Sequence, residues 1–128
     1  MMTDECGMMT ERASIPDRAK AFALRIVRLY AALPKTNEAQ VMGKQALRSG
    51  TSVGAHVREG KRSRSDAELI SKTQGALQEL EETIYWLELL VDSGTVKVER
   101  LASLMEEANE LTAILVTSVK TLKARRPK

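Results

Sequence analysis

Residues 49–66 read SGTSVGAHVREGKRSRSD, a run of small side chains that passes into a crowd of charge on either side of Gly60. How this stretch is read decides the fold. As a loop it would invite comparison with phosphate-binding glycine loops. The spacing G-x-x-x-x-G-K-[ST] is not met, however, although Gly54 and Gly60-Lys61 superficially approach it. Taken with what precedes it, the stretch is the second half of a helix that starts near Asn37 and runs through AQVMGKQALRSGTSVGAHVRE. Amides inside a helix are already bonded to carbonyls four residues back and cannot cradle a phosphate. Gly43, Gly50 and Gly54 each weaken that helix by about 1 kcal/mol relative to alanine. Beside Ala46, Ser49 and Ser52 they make a face almost without bulk, and the close approach of a second helix is the packing reason for the cost. Gly60 is expected to stop the helix in a left-handed conformation, and Asn37 with Gln40 has capping-box spacing.

Working outward, a helix precedes this one in SIPDRAKAFALRIVRLYAALP. Ile15, Ala19, Phe22, Ile26, Leu29 and Leu33 recur at spacings of three and four, the mark of one apolar face. Pro16 suits the first turn and Pro34 ends the helix. Leu24, Val27 and Ala31 form a second apolar stripe, which a single bundle does not need and which is expected to meet another subunit. On the other side, Ser65 and Glu68 open a third helix whose inner positions are Leu69, Thr73, Ala76, Leu80, Ile84, Leu87 and Val91, close to a heptad seam. A turn at Ser93-Gly94-Thr95 leads to a fourth helix with Val98, Leu101, Met105, Ala108, Leu111, Leu115, Val119 and Leu122 inward. No strand candidate is present. Short turns between long amphipathic helices predict an all-α, antiparallel up-down-up-down four-helix bundle over 14–124. It is flanked by a disordered N-terminal tail at 1–13 and a basic C-terminal tail at 125–128.

Composition agrees with that class. A chain of 128 residues with 43% hydrophobic and 3% aromatic residues is one domain with an aliphatic core. Cys6 is the only cysteine, so no disulfide framework exists and a cytoplasmic, reducing setting is the simpler expectation. The N-terminal MMTDECGMMTERAS has no apolar core of the secretory kind, and no run approaches the roughly 18 apolar residues of a membrane span. Charge is segregated: residues 1–64 carry 12 bases against 6 acids, residues 65–111 carry 3 against 11, and residues 112–128 carry 5 against none. Such segregation suggests a surface that meets another copy of the chain or a polyanion.

Catalytic chemistry is poorly supported. His56 is the only histidine, and the Glu-x-x-His pairs of di-iron bundles are absent, so no metal or other cofactor is expected. Ser52, His56 and Glu59 share one helix face, but three residues along one helix do not make a nucleophile, a base and its orienter around a substrate. A structural reading fits them better. Arg48, Ser52, His56 and Glu59 form a polar line, and Glu79 and Glu82 lie a turn apart on the third helix, so a partly buried Arg–Glu–His network across the two helices is expected. The corner is the functional candidate. Arg58, Lys61, Arg62 and Arg64 crowd a chain reversal, and Lys123, Arg125 and Arg126 end the fourth helix. Clustered cations bind phosphates by counterion release without sequence preference, and repetition of the cluster in an oligomer would add avidity. No aromatic residue is interleaved with them, which argues against stacking on single strands.

QALRSGTSVGAHVREG followed by SRSDAELISKTQGALQELEETIYWLELL resembles the bacterial four-helix bundle proteins related to those encoded in intervening sequences of large-subunit ribosomal RNA genes. The resemblance rests on Ser49, Ser52, Arg58, Glu59, Gly60, Ser65, Lys72, Glu79, Glu82, Trp86 and Leu87 and covers roughly residues 17–123. His56 stands where that family usually carries Asn. The resemblance implies a ring-like homopentamer with no established enzymatic activity. It further implies kinship with accessory proteins of diversity-generating retroelements, basic pentamers that bind nucleic acid and a reverse transcriptase. The expectation is therefore a non-enzymatic, cytoplasmic scaffold contacting RNA or DNA phosphates, the alternative being a protein-interaction module such as a reverse-transcriptase accessory subunit.

Overall fold

The structure, a computed structural model, describes residues 14–125. Four helices account for nearly all of them: α1 (Ile15–Ala32), α2 (Asn37–Gly60), α3 (Asp66–Asp92) and α4 (Val98–Arg125). They form the expected antiparallel four-helix bundle, and no strand occurs among the described residues. The tail expected at 1–13 and residues 126–128, including Arg126, lie outside the described residues. Arg125 does not belong to a tail, because α4 runs through it.

The helix ends follow local chemistry. Ser14 caps α1, its hydroxyl accepting from the Asp17 N–H at 3.2 Å, with Pro16 in the first turn. Thr36, not Asn37, caps α2, accepting from the Ala39 N–H at 3.3 Å. Gln40 instead braces the α1–α2 turn, where its amide donates to the Pro34 carbonyl at 2.9 Å and its oxygen accepts from the Tyr30 hydroxyl at 3.0 Å. Ser65 caps α3 through the Glu68 N–H at 3.1 Å, and the Glu68 carboxylate accepts from the Arg64 N–H at 2.9 Å. The α3–α4 turn is a Schellman closure. Thr95 N–H bonds the Leu90 carbonyl at 3.0 Å and Gly94 N–H that of Val91 at 2.9 Å, with Gly94 at φ +77°. Gly60 differs from expectation, having no positive φ. It is buried beneath Leu69, whose Cδ1 would lie 3.2 Å from a Cβ there, so its smallness serves packing between α2 and α3.

The small face of α2 is where α1 packs. A Cβ at Gly43 would sit 2.4 Å from Leu33 Cδ1, and one at Gly50 would sit 2.9 Å from Ile26 Cγ1. Both glycines are buried, and Ala19, Phe22 and Ile26 of α1 are fully enclosed. The main core adds Val53, Leu80, Leu87, Leu90 and Leu111. A smaller cluster of Ile70, Val119 and Leu122 joins α3 to the end of α4. Inside α3 the buried seam is Ile70, Thr73, Ala76, Leu80, Thr83, Leu87 and Leu90, so Leu69, Ile84 and Val91 only flank it. Thr83 is tolerated at the centre because its hydroxyl donates to Ser49 Oγ at 2.8 Å, while Ser49 donates to the Gln45 carbonyl at 2.9 Å. In α4, Leu104 replaces Met105 at the centre of the seam, and Val98 is exposed. Of the neighbouring pairs around the bundle, α1 and α4 touch least.

Candidate nucleic-acid interface

The α2–α3 corner is an ordered reversal. Lys61 N–H bonds the Val57 and Arg58 carbonyls, Arg62 N–H the Glu59 carbonyl and Ser63 N–H the Gly60 carbonyl, at 3.0–3.3 Å. This backbone projects Arg58, Lys61, Arg62 and Arg64 outward, and all four are exposed. Among the described residues, no carboxylate pairs with any of these side chains. The nearby acids are engaged elsewhere: Glu59 with Lys72 at 3.1 Å, Asp66 with Arg125 at 3.1 Å, and Glu68 with the Arg64 amide. Among the described residues the corner is therefore a patch of positive charge without paired carboxylates.

Arg125 also brings α4 to this end of the bundle. Its Nε and Nη2 donate to the two Asp66 oxygens at 3.1 and 3.2 Å, which raises its already high pKa. Lys123, exposed on the last turn of α4, extends the positive end. Arg125 itself is tied to Asp66 and acts as the clasp that places α4 beside the corner.

The polar line along α2 separates into independent pieces, and the expected Arg–Glu–His network does not form. Arg48 donates to Glu79 at 3.3 Å and to Glu82, whose carboxylate also accepts from the Trp86 indole N–H at 3.1 Å. The Arg48 side chain is half exposed, so this is a surface clasp between α2 and α3 and not a buried network. Ser52 donates to the Arg48 carbonyl of its own helix at 2.8 Å, a local bond open to any helical serine. His56 lies against Gly75, where a Cβ would be 3.0 Å from its Nδ1, and that nitrogen is buried with no partner among the described residues. Glu59 faces Lys72. The physical cause lies in the α2–α3 contact itself: small residues there, Ser49 against Thr83 and Gly75 against His56, hold the two helices close, which leaves room for ion pairs only at the edge of the contact.

Sequence reasoning missed a second clasp. Arg18 on α1 donates to Glu107 at 2.7 and 3.1 Å and to Glu110 at 2.8 Å on α4, and the Glu107 bonds above all raise its pKa. Its partners lie some ninety positions away, and no local spacing announces such a pair. The Glu82 carboxylate is held below its ordinary pKa, first by the Arg48 hydrogen bond and then by the Trp86 indole. A depressed carboxylate contributes stability above its unfolded pKa of about 4.3, and that contribution is lost as pH falls through the lower folded value. Trp86 is the only tryptophan, so its emission should titrate with a midpoint below about 4.3. In Glu82→Gln that titration should be absent.

Among the described residues, no group of three His, Cys, Asp or Glu side chains could hold a metal. A cleft of about 930 Å³ opens beside the basic corner, and another of about 590 Å³ lies by the α3–α4 turn. Neither is lined by His56, Glu79 or Glu82. No helix is long and apolar enough to cross a membrane among the described residues.

The fold and its charged clasps define a small antiparallel four-helix bundle with a cationic corner. Residues 11–117 match the model of the 23S rRNA-intervening sequence protein family, and the chain belongs to that family. It is similar to a crystal structure described as a protein with unknown function from the S23 ribosomal protein family of Bacteroides thetaiotaomicron. The two share 40% identity with a TM-score of 0.79, over 84% of this chain and 99% of that one. No curated protein matches the sequence.

Proposed function

We propose that this protein is a non-catalytic, cytoplasmic scaffold that assembles as a ring-like homopentamer and binds RNA or DNA through backbone phosphates. The observation that carries the reading is the corner, where Arg58, Lys61, Arg62 and Arg64 are exposed and unpaired among the described residues while the nearby acids have other partners. Lys123 enlarges the patch. Cations in that state release counterions on meeting phosphates, so affinity must fall steeply with salt. Support for assembly comes from the second stripe of α1, with Leu24 and Val27 44% and 43% exposed and Ala31 exposed beside them. Apolar side chains so placed lose exposed surface when another subunit covers them.

The test is an electrophoretic titration against a structured RNA at two salt concentrations. With four phosphate contacts, affinity should drop about 100-fold between roughly 50 and 200 mM salt. No binding at low salt, or binding indifferent to salt, would remove the nucleic-acid reading.

A second reading is favoured by the same stripe and by the acids of α3 and α4. On it the protein is an interaction module, such as an accessory subunit of a reverse transcriptase, and the basic corner docks onto protein carboxylates. Loss of assembly on charge reversal at the corner would favour this reading.

A further inference from the structure

The bundle presents two helix faces of opposite character that nothing within the subunit covers. Helix α1 packs on α2 and α4, and α3 packs on the same two helices, so α1 and α3 lie on a diagonal. Their outer faces therefore look to opposite sides of the molecule. On α1 the exposed stripe of Leu24, Val27 and Ala31 is flanked by Lys20 and Arg28. On α3 the exposed stripe carries Tyr85 between Glu81 and Glu88, with Asp92 a turn further on. Tyr85 is 53% exposed, more than either Leu24 or Val27. Among the described residues, Lys20 and Arg28 pair with no carboxylate, and Glu81 and Glu88 with no cation.

We propose that these two faces bind each other between copies, the outer face of α1 in one subunit lying on the outer face of α3 in the next. The pairing rests on the homo-oligomer already proposed and names both surfaces that make it. Spacing supports it. Lys20, Leu24 and Arg28 recur at intervals of four, and Glu81, Tyr85 and Glu88 at intervals of four and three. In an up-down-up-down bundle α1 and α3 run in the same direction, so copies standing side by side bring the stripes together in parallel. Lys20 then meets Glu81, Leu24 meets Tyr85, and Arg28 meets Glu88. The apolar residues set this face apart from the corner, which has no large exposed apolar side chain. A phosphate backbone has nothing to cover Leu24 and Val27, whereas a tyrosine between two acids answers both the apolar and the charged parts. Symmetric pairings fail on charge. Helix α1 against its own copy sets cation on cation, α3 against its own copy sets acid on acid, and an interface rejects such juxtapositions. The contact is therefore heterologous. Each subunit keeps one free face of each kind until a ring closes, which a two-fold dimer cannot achieve.

The test exchanges the charges. Lys20→Glu with Arg28→Glu in one variant, and Glu81→Lys with Glu88→Lys in another, set like charges across the contact. Each pair should lower the affinity between copies by at least about 100-fold, read as dissociation to monomers in light scattering over a dilution series. A chain carrying all four substitutions has both faces reversed and should assemble within about tenfold of wild type. The four side chains are exposed and make no ion pair within the subunit, so helical circular dichroism should stay unchanged throughout. Wild-type assembly in either pair variant, or a quadruple variant that stays monomeric, would overturn the proposal and leave the oligomer itself standing. A wild-type chain that is monomeric at every concentration would instead remove the oligomer, and this contact with it.

Discussion

Gly50→Leu should lower the unfolding free energy by about 3 kcal/mol or more and the melting temperature by about 10 °C. Helix propensity alone gives the opposite sign, since leucine is better than glycine in a helix interior by nearly 1 kcal/mol. Packing decides. A Cβ at residue 50 would stand 2.9 Å from Ile26 Cγ1, 3.2 Å from Cγ2 and 3.3 Å from Cβ. Ile26 is fully buried and branched next to its own backbone, so it cannot swing aside and α1 must move bodily. Gly54→Ala supplies the contrast. Its nearest neighbours would be the Ala19 atoms at 3.6–3.8 Å, an ordinary contact, so propensity should prevail and stability rise by up to about 1 kcal/mol. Thermal and urea denaturation of the two variants checks both signs. Wild-type stability in Gly50→Leu would mean that α1 does not pack on α2 at this glycine.

That opposition of signs also shows what the sequence can carry. Glycines at 43, 50 and 54, spaced along an otherwise helical pattern, make sense only if another helix comes close, and the bundle is legible from them together with the apolar periodicity of α1 and α4. The seam of α3 is harder to read. Its apolar residues cover a wide sector because α2 packs on one side and α4 on the other, so in sequence Leu69, Ile84 and Val91 look as central as Ile70, Thr83 and Leu90. Thr83 belongs to the centre only because Ser49, thirty-four positions away, accepts a hydrogen bond from its hydroxyl. The polar line shows the same limit. Four residues on one stripe of α2 suggest one network, but each partner is chosen by the width of the gap across from it, and the gap is a product of packing. Exposure of the basic corner follows more directly, because cations around a chain reversal have little to bury them. The Arg18 and Arg125 clasps join helix α1 or α3 to α4 over separations of 89 and 59 positions and leave no trace in local spacing.

Reversing two charges at that corner, Arg62→Glu with Arg64→Glu, should reduce affinity for a structured RNA by about 100-fold near 50 mM salt and flatten the salt dependence by nearly two phosphate contacts. Both side chains are exposed, and the only bond made by Arg64 that matters to the fold is from its backbone amide to Glu68, which the substitution keeps. Helix content should accordingly stay unchanged. Lys97→Glu, an equally exposed reversal at the opposite end of the bundle, alters net charge by one reversal but should shift affinity only about twofold, because its distance from the corner exceeds the screening length. The informative comparison sets binding against assembly, measured by light scattering on the same samples. Loss of RNA with the assembly intact places the phosphates on Arg62 and Arg64 themselves. Loss of assembly would mean that these arginines face carboxylates of a neighbouring subunit, and the nucleic-acid reading would give way to the interaction module.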